Sequence, residues 1–235
     1  QLQLADNKAS TINRRLQNLR HAAKWLHGKR PFLAGNPCDR IRDLAIDDPE
    51  WKGLTDLEVT RLKSTAEQLI AIQTRANQLP RRNFAVLIVL LHTGLRISEL
   101  CRLTLAQYAE KHFTNVQRKG KGVTRKVFLS KAAREALDDY LDEERGRDPG
   151  PLFQTKDGNQ LDRKRADTAL RRIAKHANAT LPAEEQIHLS AHVLRHTFLR
   201  TAAVDHGVQN AKELSGHASD PVSYTHLTLP TKLAV

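Results

Sequence analysis

The stretch "FAVLIVLLH", Phe84 to His92, constrains this chain more than any other. Every residue from Phe84 to Leu91 is apolar. The run is too short to cross a membrane and has no polar side to turn toward water. It predicts a helix over about Arg81 to His92, ended by Gly94 and enclosed on all sides. The remaining elements must therefore wrap around it, each with one apolar face. At 235 residues the chain has enough material for one sizeable domain, or one and a half.

The wrapping elements can be read in turn. "STINRRLQNLRHAAKWLHG" predicts an amphipathic helix, with Ser10 as N-cap and Gly28 as its stop. Ile12, Leu16, Leu19, Ala23 and Leu26 form its apolar stripe. Arg14, Arg15, Arg20 and Lys24 lie opposite, which by itself reads as a solvated basic face. Pro31, Gly35, Asn36 and Pro37 then interrupt, and Asn36 to Lys52 reads as a connection between domains. "TDLE" at 55–58 is a capping box. Phe113 to Ser130 alternates around "RKGKG" and predicts a β-hairpin with a basic, glycine-rich turn. Ser130 caps a helix reaching about Glu144, and a loop with two turn signals runs from Asp148 to Gly158. Further helices are predicted at about Asp162–Asn178 and Ser190–His206, the latter stopped by Gly207. The fold class is mostly α with a small antiparallel β-sheet.

Charge narrows the partner. Lys and Arg number 38 against 26 Asp and Glu, a formal net charge of +12. That excess points to a polyanion, usually nucleic acid; the plainer reading is a basic, solvated surface. No apolar run has membrane-spanning length and no signal peptide is visible. Cys38 and Cys101 make no disulfide framework, so a reducing cytoplasm is expected. The chain holds no Met and begins with Gln1, so its first residue is not expected to be a native start.

Three spots carry chemistry. Arg96 in "HTGLRISEL" follows the buried helix, where a turn can aim it at a cleft; alone it reads better as a surface arginine. Lys119 and Lys121 sit in the hairpin turn, where basic groups often only position a phosphate backbone. In "SAHVLRHTFLR", His192 and Arg195 share a helix face and His196 is four residues from His192. Two histidines at that spacing can hold zinc, but Val193 stands where an HExxH glutamate would be, and His188 precedes the helix cap. No metal is expected, and His196 is expected to pack against the core.

Together these motifs resemble the tyrosine recombinase (phage integrase) family. "TGLRISEL" resembles its first arginine motif, "GKG" at 120–122 its hairpin lysine motif, and "HVLRHTF" its H-x-x-R motif. "SGH" at 215–217 is similar to its later histidine motif, with Ser215 replacing the usual Leu. The order and separations also fit. The resemblance implies a partial helical, SAM-like core-binding domain at 1–45 and a DNA breaking-rejoining catalytic domain at 46–221. It implies site-specific DNA integration or recombination by transesterification through a 3′-phosphotyrosyl bond. Neither metal, nucleotide nor other cofactor is implied. Arg96 and Arg195 would grip the phosphate, Lys121 would protonate the departing 5′-oxygen with Lys119 as runner-up, and His192 and His217 would assist. Double-stranded DNA is the implied partner, contacted also by Arg14, Arg15, Arg20 and Lys24, and working relatives act as tetramers on paired sites. Phage, transposon and chromosome-resolving roles all remain open. A type IB topoisomerase-like enzyme, or a non-catalytic DNA-binding protein on the same scaffold, are the alternatives.

The family's nucleophile follows the Gly-His motif on a helix. Tyr224 comes seven residues after His217, at a slightly shorter spacing than the family's. Pro221 and Pro230 bracket a threonine-rich run of poor helix propensity around it. "VSYTHLTLPT" back-translates into a string resembling one reading frame of a transposase adapter used for sequencing libraries. Residues 222–235 are therefore expected to be a non-native, adapter-derived tail, and Tyr224 to be the nucleophile only if that tail is native.

Overall fold

A computed structural model describes residues 7–46, 53–72, 79–118 and 122–207. The chain divides into two units, Gln1–Trp51 and Lys52–Val235.

The first unit is built on α1 (Ala9–Lys29). Leu16 and Ala23 of its stripe are buried, whereas Leu19 and Leu26 stay exposed. Both expected boundaries shift. Ser10 lies inside the helix, and Lys8 at the N-cap makes no side-chain cap bond. Gly28 also lies inside, and the helix ends at the extended Arg30. Pro31 explains the stop, because the residue before a proline is pushed out of the helical region; beyond it His27 Nδ1 accepts the Phe32 N–H at 3.0 Å and the two rings stack. The chain then folds back on α1. The Asn13 amide donates to Leu44 C=O and accepts from Leu44 N–H, both at 2.9 Å, as a neighbouring strand would.

The second unit is assembled around the apolar run. It forms α3 (Pro80–Thr93), with Pro80 at its first turn, where the missing N–H costs nothing. Leu87, Ile88 and Leu90 are each at most 1% exposed. Burying each contributes about 1.5–3 kcal/mol. Four helices pack on α3: α2 (Asp56–Ala71), α5 (Lys131–Tyr140), α6 (Arg163–Ala177) and α7 (Ala191–His206). Their starts follow the sequence. Thr55 and Glu58 form the capping box, and Ser130, Asp162 and Ser190 each accept a first-turn N–H.

The end of α5 is less regular. It runs on into a π-helical turn, Leu141–Arg145. Glu144 on that turn accepts the N–H groups of Arg81 (2.9 Å) and Arg82 (2.8 Å). It thereby caps α3, whose own N-cap residue, Leu79, makes no cap bond. Burial holds the Glu144 carboxyl above its usual value despite these donors.

The sheet has three antiparallel strands in the order β1 (Tyr108–Ala109), β2 (His112–Gln117), β3 (Val123–Phe128). Phe113 faces Val127 across the β2–β3 ladder, and both are buried with Val116. One short helix escaped the sequence reading: α4, Ile97–Cys101, directly after the Gly94 turn. The fold is mostly α with a small antiparallel sheet. Among the described residues no helix is long and apolar enough to cross a membrane.

Candidate functional site

Gly94 organises the site. Its φ of +59° ends α3 in the left-handed conformation. A Cβ there would stand 2.2 Å from Phe198 Cδ1, so α7 lies directly on this turn. Arg195, one helical turn before Phe198, is 5% exposed, and its Nη1 donates to the Gly94 carbonyl. Two residues after Gly94, Arg96 is the N-cap of α4. Its N–H and Nη1 both donate to the Glu99 carboxylate, at 2.9 and 3.0 Å. One turn thus holds both arginines, although they lie far apart in sequence.

His192 belongs to the same corner. It is exposed in the first turn of α7. Its pKa is lowered from the ordinary histidine value by burial of part of the ring, then by the positive charges of Arg195 and Arg96. Its Nε2 stands 2.9 Å from His196 Nε2, with the rings edge-to-face. One of the two nitrogens must carry the shared proton. His196 is therefore not a core histidine as expected. It is half-buried and packs on His192.

The sequence reading missed the residues behind Arg96. The Glu99 side chain is only 1% exposed and also accepts from Arg118 Nη1 at 2.9 Å. Arg118 is itself 5% exposed, and its Nε donates to Thr124 Oγ1. Burial pushes the Glu99 carboxyl up, but the Arg96 N–H and the two guanidiniums outweigh it and the net shift is downward.

The other expected residues divide cleanly. Lys119, Lys121, His217 and Tyr224 lie outside the described residues. Arg14, Arg15 and Lys24 are exposed on α1. Arg20 departs from the solvated face expected of it: it pairs with Asp43 at 2.7 Å. Among the described residues no group of three or more His, Cys, Asp and Glu is placed to hold a metal ion.

A pH dependence follows from the histidines. His192 and His92 both bind a proton less readily in the folded chain than their ordinary values. Burial lowers His92 first, and Lys63 adds to it. The unfolded chain then takes up more protons near its own histidine pKa, about 6.5, so stability falls as pH drops through that value. Thermal unfolding between pH 8 and pH 5.5 checks this. The melting temperature is expected to fall on the acid side, and by less in a His92→Gln, His192→Gln double variant.

The comparisons with known proteins follow the same geography. A profile described as "Phage integrase family" matches residues 57–228. A tyrosine recombinase XerC from Caldanaerobacter subterraneus is 27% identical over 226 residues, 91% of this chain and 58% of that protein. A tyrosine recombinase XerC from Bacillus licheniformis is 32% identical over 174 residues, 69% of this chain and 55% of that protein. The chain thus spans little more than half the length of these relatives. Among solved structures, the Tn1549 transposon integrase in complex with circular intermediate DNA superposes with a TM-score of 0.75. It is 21% identical and is covered over 78% of its length by 98% of this chain. Two arginines and a histidine held around one turn, the three-stranded sheet beside them, and a profile match over most of the chain agree: the chain belongs to the phage integrase family.

Proposed function

We propose that the protein carrying this chain exchanges DNA strands at specific sites through a phosphotyrosyl intermediate. The observation that carries this reading is the meeting of Arg96, Arg195 and His192 around the Gly94 turn. A phosphodiester under attack gathers negative charge on its non-bridging oxygens. Two guanidinium forks stay charged at any working pH and can grip those oxygens in pairs. Such fixed donors commonly contribute about 3–4 kcal/mol each to the transition state. His192, whose surroundings disfavour its charged form, can donate a hydrogen bond to the phosphate or pass a proton.

In the proposed step a tyrosine oxygen bonds to phosphorus and its proton passes to His192 or to water. The bond to the 5′-oxygen breaks, and Lys121 gives that oxygen a proton. Reversal with another strand's 5′-hydroxyl rejoins the DNA with no nucleotide consumed. The net charge of +12 and the exposed Arg14, Arg15 and Lys24 suit a duplex partner. Pairing of two sites by a homotetramer belongs to this proposal, as does action in the cytoplasm on a mobile element or a chromosome.

The test is a denaturing gel of the chain incubated with a pool of nicked, sequence-randomised duplexes. A covalent adduct lost in Tyr224→Phe supports the enzyme and makes the tail native in function. Salt-dependent binding without an adduct leaves this chain a DNA-binding scaffold, the second reading. No binding at all overturns the proposal.

A further inference from the structure

We propose that Arg118 is a positioning residue that keeps Arg96 available to a phosphate by sharing the Glu99 carboxylate. This rests on the reading of Arg96 as a phosphate ligand. The geometry is a three-membered cluster. Glu99 accepts from the Arg96 N–H, from Arg96 Nη1 and from Arg118 Nη1, all between 2.9 and 3.0 Å. With Arg96 alone, the carboxylate would close a neutral pair and cancel the charge meant for DNA. With Arg118 added, two guanidiniums face one carboxylate and the cluster keeps one net positive charge.

Exposure assigns the roles. The Arg96 side chain is 27% exposed and reaches the surface; that of Arg118 is 5% exposed, with its Nη1 turned to Glu99. Arg118 is also fixed from two further directions. Its Nε donates to Thr124 Oγ1, and its N–H donates to the Gly122 carbonyl across the root of the hairpin turn. Water cannot replace a guanidinium there, since the Glu99 side chain is only 1% exposed. The charge balance of the site therefore depends on a residue set behind Arg96, with its guanidinium engaged by the protein.

The test measures duplex binding by the whole chain at several salt concentrations. Arg118→Met is expected to weaken binding about tenfold at low salt and to reduce the slope of log Kd against log salt by about 0.9, the loss of one phosphate contact. Adding Glu99→Gln removes the cancelling carboxylate and is expected to restore both to near the wild-type values. Arg118→Lys, which keeps the charge, is expected to lose less than threefold. A purely structural arginine predicts the opposite: the double variant binds as weakly as the single one, and that result overturns the inference. So does an Arg118→Met variant that binds like the wild type. Should Arg118→Met fail to fold by circular dichroism, the double variant decides alone. It buries no uncompensated charge, and a tenfold loss in it overturns the inference. A wild-type chain without salt-dependent binding overturns the DNA reading, and this inference falls with it.

Discussion

In a protein that carries this chain together with its tyrosine nucleophile, Arg195→Ala is expected to reduce covalent adduct formation about 100- to 1,000-fold while weakening duplex binding no more than about tenfold. The asymmetry comes from what the guanidinium does. It is 5% exposed and anchored on the Gly94 carbonyl, so it is preorganised before any DNA arrives. On the proposed reading its main return comes when charge develops on the phosphate, which acts on the rate rather than on ground-state binding. Arg195→Lys is expected to recover little, because one ammonium cannot hold the Gly94 carbonyl and fork a phosphate together. Time courses on nicked duplexes, with Kd measured in parallel, separate the two effects. Equal losses in binding and cleavage would make Arg195 a mere contact and remove the catalytic role assigned to it.

Gly94→Ala is expected to destabilise the second unit by about 2–5 kcal/mol. The left-handed backbone contributes about 1–2 kcal/mol for a residue with a Cβ. The rest comes from crowding, since that Cβ would stand 2.2 Å from Phe198 Cδ1 and 2.8 Å from Cε1. Forcing an extra carbon into a packed contact costs about 1–3 kcal/mol. Urea denaturation measures the total. In a Phe198→Ala background the crowding disappears and only the backbone part should remain. An unchanged midpoint in Gly94→Ala would show that neither the turn nor its contact is as described.

These two residues show what was readable in advance. Gly94 and Arg195 stand in short motifs whose chemistry is local, and the caps Thr55, Ser130, Asp162 and Ser190 likewise act within four residues of themselves. The buried helix was legible because a run with no polar side has only one place to go. Ser10 and Gly28 misled because they are weak local signals, and Pro31 sets the helix end by forcing Arg30 out of the helical region. Glu99 and Arg118 could not be read at all. They lie 19 residues apart and look like two unremarkable surface charges until the sheet brings them together. The His192–His196 contact was visible as a spacing, but spacing did not say which ring would pack on the other.

The borrowed cap of α3 has a bearing on how this unit comes apart. The amides of Arg81 and Arg82 at its start donate to Glu144, more than sixty residues further along the chain. A helix capped from within can survive the loss of its neighbours for a moment; this one loses its start when the π-helical turn after α5 opens. The central helix and the end of α5 therefore form one cooperative unit, and local opening at either is felt at the other. Because α3 also ends in the Gly94 turn, loss of the Glu144 contact is expected to loosen the setting of the arginines as well.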